Sequence, residues 1–373
     1  MAESLQPTYR YRLYPTKAQE TALAETLETC RQVYNSLLNW RKHDYEVLGK
    51  SPSRFEQQAA FPRWKKEHAE LGGVYSQVLQ NVAVRVDLAF DAFFRRVKAG
   101  ETPGYPRIKG KGQYDSITYP QSGFGFYEGR LRLSKIGDVP VRLHRPVEGV
   151  IKTCTVRRIN FKWFVCLAVE VVPELLPPSD EEVGIDVGLK TFASLSNGEN
   201  VDNPRFFRRD EKVLAKAQRK LAKQKRGSRE RRKARRVVSR IHERIRNRRH
   251  DFVHQTARRL VNRYGVIAVE RLNVKGMVKN HCLAKSIFDA SWWMFRSVLT
   301  GKAERANRLV VAVNPAYTSQ RCSGCGDIQK KSLSVRMHRC SVCGLVLDRD
   351  TNAAVNLKAA VGQHSLAASG FHL

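Results

Sequence analysis

Residues 183–196 read VGIDVGLKTFASLS. Val183, Ile185 and Val187 flank a lone acid, Asp186, and the run reads as two strands with Asn197-Gly198 marking the following turn. An ionised carboxylate on an apolar strand is costly unless it is paired or metal-bound. A second acid, Glu270, closes the apolar run Val266-Ile267-Ala268-Val269-Glu270. A third stands in DRDTNAAVN (348–356), just before a short helix, where Asp348 and Asp350 compete for the position. Carboxylates from three distant segments, if they converge, can hold two magnesium ions. Such ions activate a water and stabilise the leaving oxygen in phosphodiester hydrolysis.

The segments between these acids carry most of the charge. Between Arg208 and Arg249 there are twenty Lys/Arg against four Asp/Glu, half of the net charge of +32. The stretch is not a tail. Val213, Leu214, Ala217 and Leu221 fall on one helical face, and Val237, Val238, Ile241 and Ile245 on another. Gly227-Ser228 separates the two, which predicts a helical hairpin. A further helix is expected to reach about Tyr264, and another to span 287–307 before the strand Leu309–Val313. A charge of this size on two helices points to phosphate binding, Arg235 and Arg236 included, without sequence reading.

Beyond that strand lie Cys322-x-x-Cys325, fourteen residues, and Cys340-x-x-Cys343. Two such knuckles, each followed by glycine, form a closed tetrahedral zinc site with four thiolate ligands. Such a site is structural. The other four cysteines, Cys30, Cys154, Cys166 and Cys282, are scattered. With no apolar export segment in MAESLQPTYRYRLYP, this spacing reads as a reduced, cytoplasmic compartment rather than a disulfide framework.

The N-terminal half has a different texture. TYRYRLYP (8–15) alternates as a half-buried strand. Thr16-Lys17-Ala18-Gln19 is a capping-box signal, followed by apolar residues at Leu23, Leu27, Cys30, Val33, Tyr34, Leu37 and Leu38. A second amphipathic helix runs through Leu79, Val82, Val86, Phe90, Phe93 and Val97. From Pro103 the chain is rich in Gly, Tyr, Lys and Arg, with strand-like runs at 130–133, 139–143, 150–159 and 162–172. Tyr105, Arg107, Lys109, Lys111, Tyr114 and Tyr119 interleave rings and cations, a pattern suited to phosphates and unpaired bases. PELLPPSDEE (173–182) marks a domain boundary.

The chain has 373 residues, enough for two or three domains, and a pI near 10.2. A hydrophobic content of 42% excludes a disordered basic tail, so nucleic acid is the default partner of a folded chain. The most apolar stretch, Trp163 to Val172, is too short to span a bilayer, so no membrane partner is expected.

Taken together, these motifs resemble the TnpB family, the OrfB-type transposon proteins with a zinc ribbon. The resemblance rests on YRLYPTKAQ, CRQVYN, GYPRIKGK, YPQ, GIDVGLKTFA, VIAVERLNVKGM, NPAYTSQRCSGCG, HRCSVCG and DRDTNAAVN. It covers nearly the whole length. It implies an RNA-guided, magnesium-dependent DNA endonuclease related to the ancestors of type V CRISPR effectors. Its implied partners are a guide RNA derived from the transposon end and a double-stranded DNA target beside a short motif. Matched by motif, Asp186, Glu270 and Asp350 are the implied catalytic and magnesium-binding acids, which favours Asp350 over Asp348. Cys322, Cys325, Cys340 and Cys343 match the zinc ribbon. Gln80, in SQVLQN, resembles a position that reads the adjacent motif, and an amide can pair with an adenine edge.

The implied fold class is α+β and multidomain. A split β-barrel wedge domain (1–15 plus 101–175) surrounds a helical recognition module (16–100). An RNase H-like (RuvC) α/β nuclease domain (180–373) follows, carrying the helical hairpin (207–250) and the zinc ribbon (318–346). Three other readings compete: a guided or DNA-binding regulator that does not cut, a DNA-strand-transfer transposase, and a ribosome-type RNA-binding zinc ribbon. The first and last leave the strand-borne acids without a role.

Overall fold

The computed structural model describes residues 6–172, 175–332 and 335–368, without the side chains of Lys275 and residues 362–368. The chain divides into two units, residues 1–172 and 173–373.

The first unit opens with strand β1 (Thr8–Leu13), in which Tyr9, Tyr11 and Leu13 point into the core. Arg10 and Arg12 alternate with them and lie 5.5 and 5.1 Å from the ring of Phe164. Helix α1 (Lys17–Leu48) starts at a true capping box: Gln19 N donates to Thr16 Oγ1 and Thr16 N donates to Gln19 Oε1. The seven apolar residues picked out by their spacing are all buried on its inner face. Helices α2 (Arg54–Ala59) and α3 (Phe61–Glu67) lead to α4 (Ser76–Lys98), which packs along α1. Leu79, Val82, Val86 and Phe90 are buried, but Val97 is 48% exposed. The last turn of α4 leaves the core and ends in Arg95, Arg96 and Lys98.

Strands β2 (Ser116–Tyr119), β3 (Phe124–Tyr127), β4 (Arg130–Leu133), β5 (Gly137–Arg142), β6 (Val150–Ile159) and β7 (Lys162–Glu170) follow. They join β1 in one antiparallel sheet, ordered β2-β6-β7-β1-β5-β4-β3. The N-terminal strand is therefore central, with Tyr11 opposite Val165 and Leu13 opposite Trp163. The order runs between two edge strands, β2 and β3. Both lie in the Gly- and Tyr-rich stretch whose composition gave no strand signal.

In the second unit, β8 (Glu182–Val187), β9 (Thr191–Leu195) and β10 (Asn200–Asp202) form an antiparallel meander. Helices α5 (Phe206–Ala222) and α6 (Arg229–Arg263) follow, then β11 (Val266–Glu270), parallel to β8. Next come α7 (Val274–Met277), α8 (His281–Ala290), α9 (Trp292–Arg305) and β12 (Leu309–Val313), which is parallel to β11. The chain then forms the hairpin β13 (Met337–Arg339) and β14 (Val346–Asp348) and ends in α10 (Arg349–Ala368). The main sheet is ordered β10-β9-β8-β11-β12.

Several helical expectations need correction. α6 is one unbroken helix of 35 residues, not a hairpin arm followed by a separate helix. It contains no Gly or Pro, so nothing interrupts its hydrogen bonds. The expected helix 287–307 is instead two, because Ser291 takes the left-handed conformation (φ 58°) between α8 and α9. The hairpin core is narrower than its apolar faces predict. Leu214, Ile241 and Ile245 are buried, while Val213 and Val237 remain about half exposed. At the turn, Ser228 Oγ accepts from Arg231 N and starts α6.

The main sheet is covered on both faces. One face packs Val183, Ile185, Phe192 and Ile267 with Val253, Ala257 and Leu260 of α6 and Phe295 and Leu299 of α9. The other packs Ala268 and Val313 with Leu357 and Val361 of α10. Helix α10 touches the backbone of β8 at Gly184. A Cβ built there would lie 1.9 Å from Ala354 O, so only glycine permits the contact.

Candidate active site

That contact sets the position of α10 relative to β8. Asp350 stands one helical turn before Ala354, and Asp186 two residues after Gly184. Glu270 ends the neighbouring parallel strand, β11. The three acids converge at one end of the sheet and feel one another. Burial, with the charges of Glu270 and Asp350, pushes the Asp186 carboxyl up to about 8. Glu270 is also raised, first by burial; the Thr318 hydroxyl partly offsets this, and Asp350 adds to it.

Each acid has a distinct setting. Thr318 Oγ1 donates to Glu270 Oε1 at 3.1 Å. Arg349 Nε and Nη2 each lie 3.2 Å from Asp350 Oδ1, with Arg336 Nη1 3.8 Å from Oδ2. Asp348 also adds to the rise of Asp186, but its carboxyl is engaged at the helix start. Its Oδ1 accepts from the backbone N of Asp350 and Thr351, so it caps α10. Partly buried carboxylates thus share one locality, and their mutual repulsion is only partly offset by arginine, a donor set of the hard oxygen type that divalent cations take.

The four cysteines form a second centre. All four sulfurs lie within 4.8 Å of one another, with Cys322–Cys343 at 3.6 Å and Cys325–Cys340 at 3.5 Å. Tetrahedral zinc with bonds near 2.3 Å needs sulfurs about 3.8 Å apart, so the donor set fits that ion. Each knuckle closes through a glycine amide. Gly326 N donates to Cys322 O at 2.9 Å and Gly344 N to Cys340 O at 3.1 Å, both glycines at positive φ. Backbone amides, first that of Cys343, hold Cys340 down to about 7.

Three residues that the motif reading did not single out join the two centres. Asn352 is fully buried; its Nδ2 donates to Arg321 O and its Oδ1 accepts from Ser323 N. Asn356 Nδ2 lies 2.8 Å from both Thr318 O and Arg321 O. Thr318 completes the path to Glu270. The signal was present in DRDTNAAVN, where Asn352 and Asn356 are four apart and share one helical face.

The residues expected to meet nucleic acid divide. Tyr119 is corrected: it is 1% exposed, stacked on Tyr75, with its hydroxyl donating to Ser134 O. It is a core residue of β2 and offers no face to a base. Tyr114 is likewise buried. Tyr105 is 46% exposed and packs edge-on against Phe90 and Phe93. Arg107 is exposed, whereas the backbone of Lys109 is pinned by Asn35 and Arg31 and its ammonium lies 5.6 Å from the Tyr34 ring centre. Gln80 stands exposed on α4, and Arg235 and Arg236 stand exposed on α6.

The fold matches that of Cas12-type nucleases. A cryo-EM structure of a Cas12f1–sgRNA–target DNA complex superposes with a TM-score of 0.59 at 13% identity, over 95% of this chain and 99% of that one. The mini-RNA-guided endonuclease CRISPR-Cas_phi3 gives 0.52 at 10% identity, over 96% and 92%. At these identities the likeness is one of fold. Three family models match the sequence. OrfB_IS605, described as "Probable transposase", covers residues 164–281; a Cas12f1-like TNB domain covers 292–357; a helix-turn-helix domain covers 1–50. Two curated relatives carry the name "Putative RNA-guided DNA endonuclease". That of Streptomyces pristinaespiralis is 38% identical over 369 residues, covering 96% of this chain and 90% of its own. InsQ of Escherichia coli is 31% identical over 382 residues, covering 97% and 93%. The chain belongs to the TnpB family of OrfB-type proteins. One description does not suit the structure: residues 8–48 form a strand and a single uninterrupted helix, not a helix-turn-helix.

Proposed function

We propose that this protein is an RNA-guided DNA endonuclease, hydrolysing phosphodiester bonds of a duplex target with Asp186, Glu270 and Asp350. The observation that carries the reading is the placement of three acids from β8, β11 and the start of α10 at one end of the main sheet, where burial first, and then the charges of Glu270 and Asp350, raise the Asp186 carboxyl.

Asp186, Glu270 and Asp350 would hold magnesium, which when bound would supply an activated water and charge stabilisation at the leaving oxygen. The protein's own contribution is preorganisation. The Gly184–Ala354 contact sets Asp350 against Asp186. Thr318 fixes one oxygen of Glu270 and leaves the other for a cation. Arg349 and Arg336 hold Asp350 and add positive charge beside it. Zinc on Cys322, Cys325, Cys340 and Cys343 supplies a closed structural centre.

In this reading, residues 1–15 and 101–175 form the wedge domain and 16–100 the recognition module. Exposed Gln80, Tyr105, Arg107, Arg235 and Arg236 provide contacts to nucleic acid. A guide RNA made from the transposon end pairs with one DNA strand and does most of the sequence reading, so the protein needs mainly charge and shape.

The test is expression of the chain with its native flanking DNA, followed by sequencing of the copurifying RNA. That complex is then given plasmids bearing a matching target beside a randomised motif, with magnesium. Cutting that needs both the match and Asp186, and disappears in Asp186→Ala, is the expected result. Guide-dependent binding without cutting would move the protein to the regulators, and absence of a discrete RNA would remove the guided reading.

A further inference from the structure

We propose that Thr318 is a positioning residue for Glu270, and that the four-cysteine ribbon governs cation binding at the acids through it. The inference rests on the reading that Asp186, Glu270 and Asp350 bind divalent ions.

The geometry forms one continuous path. Thr318 lies four residues before Cys322, the first cysteine of the cluster, and is itself buried. Its hydroxyl has one proton and two acceptors within reach, Glu270 Oε1 and Pro315 O, both at 3.1 Å. A charged carboxylate is the stronger acceptor, so the ionised, cation-binding form of Glu270 takes the proton. The loop that carries Thr318 is then clamped from both sides. Asn356 spends both amide hydrogens on it, one on Thr318 O and one on Arg321 O. Asn352 holds Arg321 O and the amide of Ser323, a residue inside the first knuckle.

Two of the three acids therefore depend on this loop. Glu270 depends on Thr318 directly. Asp350 depends on α10, the helix whose Asn352 and Asn356 grip the same segment. A loop held at one end by a filled cysteine cluster keeps Thr318 in place. Without metal, no bond ties the four sulfurs, which lie within 4.8 Å of one another, and the knuckle that Asn352 holds is free to open. Partners of metal-binding carboxylates and imidazoles typically change affinity ten- to a hundred-fold when removed.

The probe is Mn2+, followed by its paramagnetic resonance in the full-chain complex with its RNA. Binding by the Asp186→Ala complex is subtracted, which removes the contribution of the RNA. Thr318→Val should weaken the Asp186-dependent Mn2+ affinity about tenfold, while Thr318→Ser restores it. Zinc content should stay at one per chain in both. Cys325→Ser should lose zinc and weaken Mn2+ by a similar factor. The double variant should be no weaker than the single ones, because both act on one contact.

Wild-type affinity in Thr318→Val overturns the positioning role. Equal, additive losses in the double variant overturn the path from the ribbon through Thr318. A wild-type complex with no Asp186-dependent Mn2+ binding overturns the functional reading itself, and is distinguishable from both.

Discussion

Asp186 keeps its proton in the fold to about pH 8, whereas an unfolded aspartate releases it near 4. The folded, cation-free protein therefore binds the extra proton between those values. The contribution of Asp186 to stability is fully present below about pH 4 and is lost as pH rises toward 8. In chelator, the melting temperature of wild type should drop across that range relative to Asp186→Asn, which cannot ionise; parallel curves would contradict the assignment. Tyr119 shows where single residues mislead. Aromatic and basic residues surround it in sequence, which reads as a stacking surface. Four residues, Ser116 to Tyr119, are too few to display a period of two. Yet Ile117 and Tyr119 both turn inward along β2. Asp186 and Glu270 were legible as misplaced charges on apolar strands, whereas Asp350 stood in the polar stretch DRDTNAAVN and competed there with Asp348. The convergence of the three was not legible, because it depends on the parallel pairing of β8 with β11, whose partners are 84 residues apart. The family resemblance supplied that link. Thr318, Asn352 and Asn356 escaped notice because their roles appear only when loop, helix and strand meet.

At the scale of elements, helix α10 rests on β8 with no space for a side chain at Gly184. Gly184→Ala should cost about 2 kcal/mol or more in denaturant unfolding, as overpacking against backbone does. Because α10 carries Asp350, this variant should also lose cation affinity at the acids. The basic hairpin is anchored differently. Asp289, at the end of α8, accepts from the backbone N of Phe207 and from Arg249, both at 2.9 Å, so it caps α5 and pins α6 at once. Asp289→Ala leaves the partly buried Arg249 and the start of α5 without this partner and should destabilise the second unit by about 2 kcal/mol in the same measurement. The hairpin itself was readable from Gly227-Ser228 and the apolar stripes. The continuity of α6 was not, because its charged midsection from Arg246 to Asp251 interrupts the stripe without interrupting the helix. Element boundaries set by chemistry, such as the Thr16–Gln19 box, were legible; those set by the absence of a breaker were not.

For the whole molecule, a charge of +32 dominates association with nucleic acid. Non-specific DNA affinity should fall steeply between low and physiological salt, through release of counterions. Replacing Arg235 and Arg236 together with glutamine should lower the slope of log affinity against log salt by about 2 if both touch phosphates. An unchanged slope would place the contacts elsewhere on the hairpin. Such replacements should leave stability nearly untouched, since neither side chain is in the hairpin core.

Helix α6 has a mechanical meaning as well. Its 35 residues make a beam about 52 Å long, without a joint. One end, through Val253, Ala257 and Leu260, is set into the packing under the main sheet. The other carries the densest positive charge in the chain. A load applied at the charged end first meets the tie of Arg249 to Asp289 on α8. Beyond that tie the beam runs on to Tyr264 and Gly265, just ahead of β11, and Glu270 is the last residue of that strand.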